Sequence, residues 1–211
     1  MTTQQGQIEG LAQRVKALAV AEGSHDWWHV WRVWRMALRI AEAERADRYL
    51  VELAALCHDL EDWKYPHEPV IEPLLLELGV PPLAIRRVLE ICGRVSFKGA
   101  GVPDQMPTLE GQIVQDADRL DAMGAVGIAR AFAYGGSKHR PLHDPGQPPE
   151  LHTSFEAYQS KSGSSIAHFY EKLFLLKDRM HTATARAIAE ERHRYMQGFV
   201  ERFLLEWEGQ A

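Results

Sequence analysis

DWWHVWRVWRMALRIAEAERADRYLVELAALCHDLED, residues 26–62, holds the reading on which the rest of the chain depends. Within it His29, Val33, Met36 and Ile40 fall at i, i+4, i+7 and i+11, one stripe of an α-helix. Arg32, Arg35 and Arg39 occupy another stripe, facing solvent. A helix is predicted from Asp26 to about Glu44, with Ser24 or Asp26 as its cap, and another from about Asp47 to Leu60. Trp27, Trp31 and Trp34 read as a core stripe rather than a platform for stacking bases.

Outward from this pair the same period continues. Upstream, a first amphipathic helix is predicted over about residues 5–22, ending near Gly23-Ser24. Downstream come short helices near 69–78 and 81–93, the second opened by Pro81-Pro82, then a loop from Val95 to Pro107. A helical pattern covers about 109–135, bent near Gly124 or Gly127, and GGSKHRPLHDPGQPPE at 135–150 is the clearest loop. Two C-terminal helices follow, about 163–180 and 182–207. No period-two run bounded by turns and no internal repeat is present, so the expectation is one all-α domain over 1–211.

Composition narrows the function classes. With 211 residues, 45% hydrophobic and 25% charged, the chain suits a globular domain with a sizeable core. A net charge of -5 argues against a nucleic-acid polymer as partner, but a local basic cluster can still take a small anion. No apolar run reaches the roughly 18–20 residues that span a bilayer, and MTTQQGQIEGLAQRVK has no signal-peptide pattern. Cys57 and Cys92 form no CxxC pair, which fits a reduced, cytoplasmic protein.

Three places carry chemistry. His29 is a polar residue on an apolar stripe, a pattern more often filled by a satisfied core histidine than by a ligand. His58 and Asp59 are adjacent, and neighbours on a helix point about 100° apart, so they can share an ion only near the helix end. There a cation also meets orphan carbonyls. In VQDADRLDAMG, Asp118 lies four residues after Val114 and three before Asp121, placing two carboxylates on an apolar face. Burying them costs several kcal/mol unless a cation or an arginine, Arg119 or Arg130, compensates. Jointly, two imidazoles and two carboxylates form a mixed N/O set suited to Mn²⁺, Fe²⁺, Zn²⁺ or Mg²⁺, with positions left for water and substrate. Gly99-Ala100-Gly101 does not complete a dinucleotide fingerprint, and Gly135-Gly136-Ser137-Lys138 is not a P-loop.

The chain resembles the HD superfamily of metal-dependent phosphohydrolases at these residues. His29-Val30-Trp31-Arg32-Val33 is similar to its first motif, Ala54-Ala55-Leu56-Cys57-His58-Asp59 to its "AALLHD" signature, and Ala117-Asp118-Arg119-Leu120 to its "ADRL" segment. SHDWWH, HDLEDWKY, VSFKG and HFYEKLFLLKDRM extend the likeness from about Ser24 to Trp207, towards small bacterial members that include nucleoside triphosphate pyrophosphohydrolases. The resemblance implies an all-helical bundle, a core motif region over about 24–135, and a metal held by His29, His58, Asp59 and Asp118. It implies Mn²⁺ as first candidate, with Mg²⁺, Fe²⁺, Zn²⁺ and Ni²⁺ as alternatives.

The expected reaction is attack of a metal-bound water on phosphorus, releasing monophosphate and pyrophosphate from a nucleoside triphosphate. Asp62, Asp121 or Glu61 would take the proton; HDLED departs by one residue from the HDxxED spacing, which favours Asp62 over Glu61. Lys98, in the Gly-flanked VSFKGAG loop, leads the substrate-binding candidates, followed by Lys64, Arg119 and Lys138. Competing readings are a phosphomonoesterase and a non-catalytic metal-stabilised sensor or scaffold; the C-terminal helices are candidates for a homodimer contact. Lys98→Ala is expected to raise KM for a nucleotide in steady-state assays, and an unchanged KM and kcat would remove Lys98 from the site.

Overall fold

The computed structural model describes residues 3–18, 26–61, 69–96, 105–151 and 163–211. Its elements are α1 (Gln4–Leu18), α2 (Trp27–Glu44), α3 (Arg48–Cys57), α4 (Ile71–Glu77), α5 (Pro82–Val95), α6 (Leu109–Asp121), α7 (Gly124–Ser137), α8 (Ala167–Glu171), a 3₁₀ helix (Leu173–Arg179) and α9 (Ala183–Trp207). The fold is all-α, and no strand occurs among the described residues. No described helix is long and apolar enough to cross a membrane. Two compact units are present: one runs to Ser96 and resumes from Gln105 to Asp118, the other runs from Arg119 to Ala211.

In the first unit α3 is the hub, packed by α1, α2 and α5, while α4 packs on α5. Every residue from Leu50 to Cys57 is buried, and all but Glu52, which accepts from Arg48, are apolar. The Asp47 carboxylate starts α3 by accepting from Leu50 N at 3.2 Å. Arg45 ends α2 in the left-handed region (φ 58°), and Ala46 N reaches back to Ala41 O at 3.1 Å. Polar side chains then tie helices together where carbonyls would otherwise be orphaned. Gln7 donates to Leu78 O and Gly79 O and accepts from the Tyr49 hydroxyl, joining α1 and α3 to the turn after α4. Gln115 donates to Arg94 O and Val95 O, the last carbonyls of α5.

The apolar arc of α2 is wider than the face it buries. Val30, Val33, Ala37, Ile40 and Ala41 are buried, whereas Trp31 and Trp28 are exposed and meet edge-to-face at 6.1 Å. Trp31 therefore departs from the expected core stripe, because it lies 100° past Val30 on the helix.

In the second unit, Phe132, Phe169, Phe199 and Phe203 from α7, α8 and α9 form the aromatic centre, with ring centroids about 6 Å apart. The pattern expected over 109–135 divides into α6 and α7 around Gly124 (φ 71°), and a Cβ at Gly127 would lie 2.2 Å from Ala122 O. The helix expected over 163–180 breaks at Lys172 (φ -141°), after which Leu173 and Leu176 are buried at the three-residue spacing of a 3₁₀ turn. Gly135 lets the Ser165 hydroxyl approach to within 2.2 Å of where a Cβ would sit, so Gly135 serves packing.

His193 of α9 is buried edge-on against Phe174 at 5.3 Å. Burial, and secondarily the Lys177 charge, push its imidazole below the ordinary range, against the opposing carboxylates of Glu190 and Asp178. A depressed histidine favours the neutral form in the folded state, so its stabilisation is complete above the ordinary histidine pKa and lost as pH falls below about 6.5. Wild type should therefore lose more Tm between pH 7.5 and 5.5 than His193→Gln; equal losses would show that His193 does not contribute to acid sensitivity.

Candidate metal centre

The four residues that lead the site candidates all belong to the first unit. The Asp26 carboxylate caps α2 by accepting from His29 N at 3.0 Å, so His29 leaves the first turn of a capped helix and is 1% exposed. His58 follows α3 as its C-cap and is 4% exposed. The helix thus stops at Cys57, three residues short of the expected end, and His58 and Asp59 stand in the turn beyond it. That end position is the one at which adjacent residues can face a common point.

Orientation comes from the backbone. His58 Nδ1 lies 2.8 Å from Ala55 O, and a carbonyl can only accept, so Nδ1 carries the hydrogen and the neutral ring presents its lone pair at Nε2. That lone pair faces His29 Nε2 at 3.3 Å, with the rings at 65°. Asp59 Oδ2 lies 3.7 Å from His29 Nε2. Asp118 Oδ1, from the last turn of α6, lies 3.5 Å from His29 Nε2 and 3.9 Å from His58 Nε2. Ligand bonds of about 2.0–2.2 Å put donors on one ion about 3–4 Å apart, which these separations match. Donor atoms of His29, His58 and Asp59 all fall within 4.8 Å of one another, a cluster that could hold a divalent ion. The Asp59 and Asp118 side chains are 13% and 30% exposed, so solvent reaches the cluster from the carboxylate side.

The other candidates are distributed differently. Glu61 Oε1 accepts from Val70 N at 2.6 Å and Ile71 N at 2.7 Å, at the start of α4. Asp121 is buried in the second unit and accepts from Arg130 Nη1 at 2.6 Å. Arg119 is buried there too, donating to Arg179 O, with His181 Nε2 3.4 Å away. Lys138 is the C-cap of α7, its ammonium 5.7 Å from the Tyr134 ring, which Arg140 also faces. Asp62, Lys64 and Lys98 lie outside the described residues. Two supporting groups escape a reading by residue type: the Ala55 carbonyl, which any residue would supply, and the double acceptance by Glu61, whose partners are backbone amides nine and ten positions on.

Fold and site together define an all-helical protein in which His29, His58 and Asp59 form a cluster that could hold a divalent ion. The model of the HD domain family matches residues 27–123, a span containing His29, His58, Asp59 and Asp118. The uncharacterised protein YpgQ of Bacillus subtilis is 43% identical over 201 residues, 92% of this chain and 90% of that one. The chain therefore belongs to the HD-domain family. A crystal structure of a Lactobacillus plantarum protein superposes with a TM-score of 0.87 at 35% identity, covering 99% of this chain and 100% of that chain. A structure described as an HD-superfamily hydrolase from Bacillus thuringiensis gives a TM-score of 0.78 at 42% identity, with 99% and 100% covered. YpgQ has been solved in complex with ADP; that structure gives a TM-score of 0.78 at 38% identity, with 97% and 96% covered.

Metal linkage follows from the donor set. An ion that binds only the folded state stabilises it by about 2.7 kcal/mol at a free concentration 100 times its Kd. Mn²⁺ should therefore raise the Tm of wild type in a thermal melt, and His58→Ala and Asp118→Ala should each lose most of that rise.

Proposed function

We propose that the protein hydrolyses nucleoside triphosphates to the monophosphate and pyrophosphate, with Mn²⁺ held by His29, His58, Asp59 and Asp118. The observation that carries this reading is the pair of buried imidazoles, one locked in its tautomer, facing two carboxylates on the side open to solvent. The nucleotide class is supported by the ADP bound to YpgQ. A divalent ion in such a site supplies Lewis acidity and lowers the pKa of water.

The chain's own groups divide the remaining work. The Ala55 carbonyl holds His58 so that Nε2 stays a donor to the cation rather than a hydrogen-bond donor. Asp59 and Asp118 balance the ion's charge in a partly buried site, where such pairing is stronger than in water. Asp121 already engages Arg130, which makes Asp62 the stronger candidate to accept the proton of the attacking water. Lys98 and Lys64 are assigned to the phosphates, where an ammonium offsets charge on the leaving pyrophosphate.

The test is a panel of nucleoside mono- and triphosphates incubated with the Mn²⁺-loaded protein, with products separated by chromatography. Monophosphate plus pyrophosphate is expected from one or more triphosphates, falling at least about 100-fold in His58→Ala and Asp118→Ala. Orthophosphate from monophosphates alone would replace this reading with a phosphomonoesterase. Absence of turnover on the whole panel would move the protein to substrates other than nucleotides.

A further inference from the structure

We infer that Glu61 is a positioning residue, which fixes the His58–Asp59 turn against the start of α4, rather than the acceptor of the catalytic proton. The turn leaves α3 through Leu60 N, which bonds Cys57 O at 3.0 Å, and its other end is Glu61. A single oxygen there, Oε1, receives two amide hydrogens at 2.6 and 2.7 Å, distances typical of charge-assisted bonds. Val70 and Ile71 open α4, whose start has no side-chain cap of its own, and Pro73 brings no N–H to its first turn. Glu61 thus caps a helix from nine residues upstream.

The cap has a firm abutment. Ile71 and Leu75 are fully buried, α4 packs on α5, and α5 packs on α3, the helix that delivers His58. Asp59, two residues before Glu61, is therefore held between α3 on one side and α4 on the other. Without the cap, the turn would lose this tether to α4. With Oε1 committed to two backbone amides, the Glu61 carboxylate is anchored at α4, and this anchor sets where the Asp59 carboxylate stands relative to His29. Groups that orient ligands from outside the coordination shell change metal affinity or activity by about 10–100-fold when removed.

This inference rests on the metal-dependent reading above, and two variants separate its possibilities. Glu61→Gln keeps the accepting oxygen and loses the carboxylate; Glu61→Ala loses both. Mn²⁺ affinity would be measured by titration calorimetry on each folded variant, below its melting temperature, alongside kcat as a function of pH. Glu61→Gln should hold Mn²⁺ within about threefold of wild type and keep most of kcat with an unchanged pH profile, whereas Glu61→Ala should bind at least about tenfold more weakly. A Glu61→Gln protein as inactive as Glu61→Ala, yet binding Mn²⁺ normally, would overturn the proposal in favour of a proton acceptor. A Glu61→Ala protein with wild-type Mn²⁺ affinity would overturn it too, leaving Glu61 a cap that only stabilises α4. The affinity readout uses no substrate, so it stands or falls separately from the choice of nucleotide.

Discussion

The contact between His58 Nδ1 and the Ala55 carbonyl is short and buried, and the candidate metal centre depends on it. An imidazole free to rotate or to change tautomer would aim a hydrogen at His29 as readily as a lone pair. The carbonyl removes that choice, because it can only accept. Two imidazoles buried side by side are costly unless a partner satisfies them, and a cation there would also face the two carboxylates that lie within 4 Å of His29 Nε2. Of these donors, His29, His58 and Asp59 form a cluster that could hold a divalent ion.

Such an arrangement needs an unyielding platform, and α3 provides it. Eight consecutive buried residues, packed by α1, α2 and α5, leave the helix no room to slide or roll. His58 inherits that rigidity because it is the residue at which the helix ends. His29 obtains a similar constraint from the Asp26 cap, and Asp118 from the buried face of α6 made by Ile113, Val114 and Ala117. Three elements, each fixed for local reasons, thus converge within one compact unit. Among the four residues, the two carboxylates are more exposed than the two buried imidazoles.

The arginines near the motif show how a charged residue can be claimed by the fold. Arg119, next to Asp118, looks in sequence like a contact for phosphate, yet it is buried and donates to the Arg179 carbonyl. Arg186 takes the Met180 and His181 carbonyls, and Arg192 takes Leu120 O at the end of α6. Carbonyls at helix ends and turns need donors once water is excluded, and the guanidinium fork reaches several of them.

Local chemistry was legible in the chain itself. The period of the apolar residues marks α2, α3, α5 and α9; Asp26 and Pro81-Pro82 mark starts; and the ligand candidates stand out as polar residues in apolar runs. These are nearest-neighbour effects, so a linear reading recovers them. The tertiary structure alone decided the rest. Whether residues 29, 58 and 118 meet depends on how α2, α3 and α6 pack. The break at Lys172 has no Gly or Pro to announce it and accompanies the aromatic packing of the second unit. The role of Glu61 was hidden for the same reason: its partners are backbone amides, which every residue type but proline carries, and only the folded path of the chain brings two of them to one carboxylate oxygen.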